Sequence, residues 1–306
     1  SKKVKGVKNL KKIINFVFIF IIMVILVTLT GCTNSKKDNS NYKIVTSFYP
    51  IYIMALNIVD GASNVEVSNM ADANTGCIHN YTLQTADLKK VENANLFIQN
   101  GLEIENFMDK LVNSFSKLNV VNSSEGIENV IQDEDEINGH TWTSINNYIK
   151  QLENIKNKLK EENPENAEIY EKNTNDYIEK LNNLKEEYDK ELEMLKGEKA
   201  LSLNESFSYI ERDVGLDTIE IHTDHEESTI SADKLKEIIE KMKDENIKII
   251  IIDKDDNERN AQTIAKETNS KIYKLDSCLK GDMDKESYVR AMKENLNVFK
   301  KMIENK

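Results

Sequence analysis

Short β-branched runs alternate with helical patterns on both sides of a long amphipathic stretch that holds no glycine, and this order leaves few folds open. Before the stretch, strands are predicted at 43–47, 65–67, 95–99 and 119–122, with helices at 50–60, 85–92 and 107–115. After it, strands are predicted at 199–203, 217–221, 247–252 and 271–275, with helices at 207–214, 231–244, 258–268 and 285–304. Pro50 suits a first helical turn, and the isoleucine-rich run 247–252 is apolar enough for a strand buried on both faces. The stretch at 146–196 reads as two amphipathic helices broken at Asn163-Pro164. The second, if continuous over 164–196, would be about 50 Å long. The expected class is therefore α/β. Two lobes, at 42–145 and 197–306, each carry a mostly parallel sheet flanked by helices and are joined by a long bracing helix within 146–196. The sequence shows no internal repeat, phosphate loop or dinucleotide fingerprint.

Six lysines precede an apolar run at 13–29, the layout of a secretion signal. Leu29-Thr30-Gly31-Cys32 resembles the lipobox of bacterial lipoproteins. On that resemblance 1–31 is a signal peptide, Cys32 carries the lipid and 32–41 is a tether, placing the remainder at the extracellular face of the cell membrane. A retained membrane anchor is the alternative, and the hydrophilic residues after Cys32 speak against it. Losing the six lysines and no acid takes the formal charge from −12 to −18. So acidic a chain is a poor partner for nucleic acid. Beyond Cys32 only Cys77 and Cys278 remain, too few for a disulfide scaffold, so an apolar core must hold the fold.

The chain has four histidines: His79, His140, His222 and His225. His79 lies in a loop after the second strand, where open parallel sheets line their ligand crevice. His140 precedes the only tryptophan, Trp142, by two residues. Taken singly, each is better explained by packing or a surface position than by ligation. His222-Thr223-Asp224-His225-Glu226-Glu227 reads as a solvated loop before Ser231, a candidate helix cap.

Together these segments resemble the zinc- and manganese-binding lipoproteins that serve ABC metal importers. The likeness is carried by His79-Asn80-Tyr81 with Thr85-Ala86-Asp87-Leu88 and Asn100-Gly101-Leu102-Glu103, by Gly139-His140-Thr141-Trp142, and by Leu275-Asp276-Ser277 with Tyr288 downstream. It implies metal ligation by His79 and His140 from the first lobe and by Asp276 from the second. The third ligand position falls at Asn204, where His or Glu is usual, with Glu205 beside it. Asparagine is a weak zinc ligand, so either Glu205 turns inward or the site has fewer strong donors. Cys77 and Cys278 each lie two residues from an implied ligand. A metal thiolate, a disulfide between lobes and two small buried side chains all stay open, the last being the simplest. The histidine-rich loop common in dedicated zinc importers is replaced by the short acidic segment 132–136.

Two imidazoles with one or two carboxylates suit zinc or manganese and not a calcium cage of oxygens. The implied function is capture of a divalent metal, with Zn2+ placed ahead of Mn2+, and delivery to an ABC permease by a non-catalytic, monomeric protein. A secreted zinc-dependent hydrolase is the alternative, against which stands the lack of a His-Glu-x-x-His helix. A surface adhesin is a further reading on which the residues are silent.

Overall fold

The computed structural model describes residues 41–305 except 73, 76–80, 109–114, 116–117, 134–135 and 221–229. In the first half, strands β1 (Tyr42–Thr46), β2 (Val65–Asn69), β3 (Leu96–Gln99) and β4 (Asn119–Asn122) alternate with helices α1 (Tyr49–Val59) and α2 (Thr85–Glu92). They form a parallel sheet in the order β2-β1-β3-β4. A small antiparallel hairpin, β5 (Gln132–Asp133) and β6 (Glu136–Ile137), leads to helices α3 (Ile145–Glu162) and α4 (Ala167–Glu191).

The second half holds β7 (Lys199–Ser202), α5 (Ser208–Val214), β8 (Asp217–Glu220), α6 (Ala232–Asp244), β9 (Ile249–Asp253), α7 (Arg259–Thr268), β10 (Lys271–Leu275) and α8 (Ser287–Glu304). Its sheet is also parallel, in the order β10-β9-β7-β8. Numbered within its own half, each sheet has the same order, second-first-third-fourth. The topology repeats where the sequence does not. In such sheets the ligand crevice opens at the carboxyl ends of the strands where the winding direction reverses, here between β1 and β3 and between β7 and β9.

One buried cluster joins the halves: Ile44, Ile51 and Ile53 from the first, Tyr148, Leu152, Ile155, Leu181 and Tyr188 from the linking helices, and Ile251, Leu275 and Phe299 from the second. The outer sheet faces have smaller cores of their own, with Val45 and Phe97 in one and Leu201, Ile250 and Ile252 in the other. Strand β9 explains its own composition: Ile249 and Ile251 enter the shared core, while Ile250 and Ile252 pack under α6 and α7. An unbroken isoleucine run is what burial on both faces requires.

Most of the helix predicted at 107–115 falls on 109–114, outside the described residues; just before them Asn106–Met108 form a 3-10 turn. The short acidic segment 132–136 contributes residues to the β5–β6 pairing, with 134–135 outside the described residues. One expectation, a continuous helix over 164–196, needs correction. The helix predicted over 164–196 is α4 with a 3-10 turn at each end, Pro164–Asn166 and Glu193–Leu195. At about 1.5 Å per residue α4 spans about 38 Å. It stops short because Leu192 and Leu195 turn into the shared core and Gly197, at φ 76°, redirects the chain into β7. The break at Asn163-Pro164 stands as predicted, with the Asn163 side chain accepting from Asn166 and Tyr170. Among the described residues no helix is long and apolar enough to cross a membrane. The apolar run 13–29 and Cys32 lie outside them.

Candidate functional site

His140 is fully buried between hairpin and linking helices. Its conformation is set from both sides in sequence. Asn138 Oδ1 accepts the His140 backbone N–H at 2.9 Å and faces the ring Nδ1 at 2.9 Å. Asn138 Nδ2 is spent as a donor to the Glu205 carbonyl at 2.9 Å and Ser208 Oγ at 3.1 Å, so the oxygen is the atom turned to the ring. Nδ1 must then carry the proton, which puts the ring's lone pair on Nε2, the tautomer a metal ligand needs. On the other side the Trp142 ring lies 5.1 Å from the imidazole, centroid to centroid. Gly139 permits the approach: a Cβ there would sit 2.3 Å from Ile104 Cγ1 and 2.7 Å from the Leu102 carbonyl.

The loop that meets Gly139 is held by a buried carboxylate. Glu105 accepts from Ser47 Oγ at 2.7 Å, from the Asn100 amide at 2.6 Å and from the Gly101 amide at 2.9 Å. Asn100 Nδ2 in turn donates to the Gly139 carbonyl at 2.9 Å. Burial pushes Glu105 up to about 7, against the pull of these three donors toward the charged form. Its folded value lies above the unfolded value of about 4.3. The contribution to stability is therefore complete below about 4.3 and is lost as pH rises through about 7. Urea unfolding of the wild type and Glu105→Gln between pH 5 and 8 should show the wild type losing roughly 2–3 kcal/mol relative to the variant. Parallel pH profiles for the two proteins would refute the assignment.

In the second half, Asp276 follows β10 and is nearly buried. Its backbone is clamped by Asn295, whose Oδ1 accepts the Asp276 N–H at 2.7 Å and whose Nδ2 donates to the Asp276 carbonyl at 2.9 Å. Its carboxylate accepts the Cys278 amide at Oδ1, 2.8 Å, and the Lys254 ammonium at Oδ2, 2.6 Å. Asp253 anchors the next residue by accepting the Ser277 N–H at 3.2 Å. The halves meet here: Trp142 Nε1–H donates to the Ser277 carbonyl at 2.9 Å, and Tyr288 Oη donates to the Trp142 carbonyl at 2.8 Å. A cavity of about 280 Å³ between the lobes is lined by Tyr49, Lys254, Asp276, Cys278, Arg290 and Glu294, among others, but not by His140.

Asn204 caps the 3-10 turn Glu205–Phe207, its Oδ1 accepting the Ser206 N–H at 3.0 Å while its Nδ2 donates to Asp256 Oδ2 at 3.0 Å. Glu205, half-buried, follows it at the carboxyl end of β7. Cys278 is a free, buried thiol whose pKa burial raises far above the usual cysteine range, and its Sγ lies 3.9 Å from Met292 Sδ. Of the site residues predicted from sequence, the structure brings to one junction His140, Trp142, Glu205 through its carbonyl, and Asp276 through its neighbour Ser277. His79, Cys77 and the His222–His225 segment lie outside the described residues. Among the described residues no three His, Cys, Asp or Glu side chains converge on one metal position. Sequence reasoning missed Asn138, Glu105, Lys254 and Asn295. Asn138 carried a signal, as a short amide two residues before a candidate ligand, and Asn295 lies in the stretch downstream of Asp276 that shares the family likeness.

Two parallel sheets of matching order, fused by a long helix around one core, make this a two-lobed α/β protein whose halves meet beside a buried histidine. The SBP FpvC of Pseudomonas aeruginosa, solved in complex with Mn2+, shares the fold with a TM-score of 0.78 at 23% identity, over 87% of this chain and 99% of that one. The family model described as ZnuA, zinc-uptake complex component A periplasmic, matches residues 44–302, and the chain belongs to that family. Among its relatives, the zinc-binding lipoprotein AdcA of Streptococcus pneumoniae is 27% identical over 292 residues, covering 89% of this chain and 58% of AdcA. The chain therefore spans little more than half of that relative's length. The manganese-binding lipoprotein MntA of Halalkalibacterium halodurans is 27% identical over 276 residues, covering 87% of this chain and 90% of MntA.

Proposed function

We propose that this protein captures a divalent transition metal ion outside the cell and delivers it to an ABC permease, tethered to the membrane through lipid on Cys32 and performing no catalytic step. The observation that carries the reading is the buried His140, held by Asn138 in the tautomer with its lone pair on Nε2 and placed beside the segment bearing Asp276. The ligand set we propose is His79, His140, Glu205 and Asp276. Glu205 is preferred to Asn204 because both ends of the Asn204 amide are already engaged. Cys278, held as a neutral thiol, is left out of the set.

Zinc is placed ahead of manganese because the Irving–Williams order favours it at any site of nitrogen and oxygen donors. Two carboxylates also suit manganese, and the printed names of the relatives include both metals. Elemental analysis of the purified chain, followed by competition of Zn2+ against Mn2+, tests the proposal. One metal ion per chain is expected, with zinc displacing manganese. Metal content unchanged in the His79→Ala/His140→Ala double variant would refute the ligand set.

A further inference from the structure

Lys254 and Asp276 face one another because of sheet register. In the parallel pair β9–β10, Asp253 lies opposite Leu275. The next residue on each strand is Lys254 and Asp276, and the Lys254 N–H continues the ladder by donating to the Leu275 carbonyl at 2.8 Å. The ion pair that results is unequal. Asp276 is 8% exposed and cannot move: Asn295 clamps its backbone and the Cys278 amide holds Oδ1. The Lys254 side chain is 40% exposed on a flexible four-carbon stem, and Lys254 lines the cavity between the lobes together with Glu294. A fixed anion is thus covered by a cation that can leave.

We propose that Lys254 is an affinity-setting residue, a tethered cation that neutralises Asp276 in the metal-free protein and must be displaced when metal binds. This rests on the reading of Asp276 as a ligand. A dication arriving at Asp276 meets an ammonium already bound to the same carboxylate, and the two repel at short range. Affinity is lowered by that competition, and the waiting ammonium speeds release by reoccupying Oδ2 as the metal departs. In its absence the metal-free protein would keep an uncompensated, nearly buried carboxylate.

The test uses the full-length chain in detergent, with Zn2+ and Mn2+ each as probe, in the wild type, Lys254→Met, Lys254→Gln, Lys254→Arg and Asp276→Asn. Chelator competition gives affinity, stopped-flow capture gives the release rate, and melting with and without metal gives the metal-induced shift in Tm. Both neutral variants should bind about tenfold more tightly and release more slowly by a similar factor. Their metal-induced Tm shift should widen, because the metal-free form alone is destabilised. Lys254→Gln keeps a hydrogen-bond donor for Asp276, so the result stands even if Lys254→Met folds poorly. Lys254→Arg should stay near wild type. Wild-type or weaker binding in both neutral variants, with affinity lost in Asp276→Asn, overturns the inference alone. Wild-type affinity in Asp276→Asn removes the ligand reading and the inference with it.

Discussion

His140→Ala should lower zinc affinity by roughly a hundredfold or more, since even the hydrogen-bond partners of metal ligands are worth about 10–100-fold. The expectation rests on how completely the imidazole is prepared. It is fully buried, its Nδ1 is committed to Asn138, and Trp142 limits its rotation. A donor held in place loses little entropy when metal binds, so its removal costs nearly the whole interaction. Asn138→Ala should then weaken binding by about tenfold with the ligand still present, because the tautomer is no longer enforced. Chelator competition on both variants checks the pair. His140→Ala with unchanged affinity would show the buried imidazole to be packing alone.

The fold was legible because its strands are β-branched and its helices amphipathic with recognisable ends. The isoleucines of β9 announced a strand buried on both faces, and Asn163-Pro164 announced the break between α3 and α4. Tertiary demands hid the rest. The helix expected over 164–196 gives way to 3-10 turns at both ends, and at the second of them Leu192 and Leu195 must reach the shared core. The matched strand order of the two halves is invisible in sequence, because a topology constrains burial and connection and not residue identity.

The candidate site divides in the same way. His140 and Asp276 could be named from their motifs, but the groups that orient them could not. Glu105 reads as one more acid in an acidic chain, and only burial shows it bracing the loop under Gly139. Lys254 reads as one more lysine, and only the β9–β10 register sets it on Asp276. Asn204 has the opposite history: its place in the motif suggested a ligand, and its local geometry makes it a cap.

Tyr288→Ala should be among the most destabilising single changes in the chain, by about 3–5 kcal/mol. Tyr288 on α8 stacks on Tyr148 of α3 with ring centroids 3.6 Å apart and planes within 10°, both rings almost wholly buried. Its hydroxyl donates to the Trp142 carbonyl, while the Trp142 indole donates to Ser277. One side chain therefore joins the last helix to the linking helices and to the loop after His140. Truncation leaves a cavity at the centre of the shared core and an unpaired buried carbonyl. Tyr288→Phe keeps the stacked ring and should cost only about 1–2 kcal/mol. Because typical domains are stable by only about 5–15 kcal/mol, the alanine variant would sit near the unfolding threshold, and bound metal should raise its melting point. Urea unfolding of the metal-free proteins separates the cases. An alanine variant within about 1 kcal/mol of wild type would mean that the two halves are stabilised separately and that the core joining them contributes little.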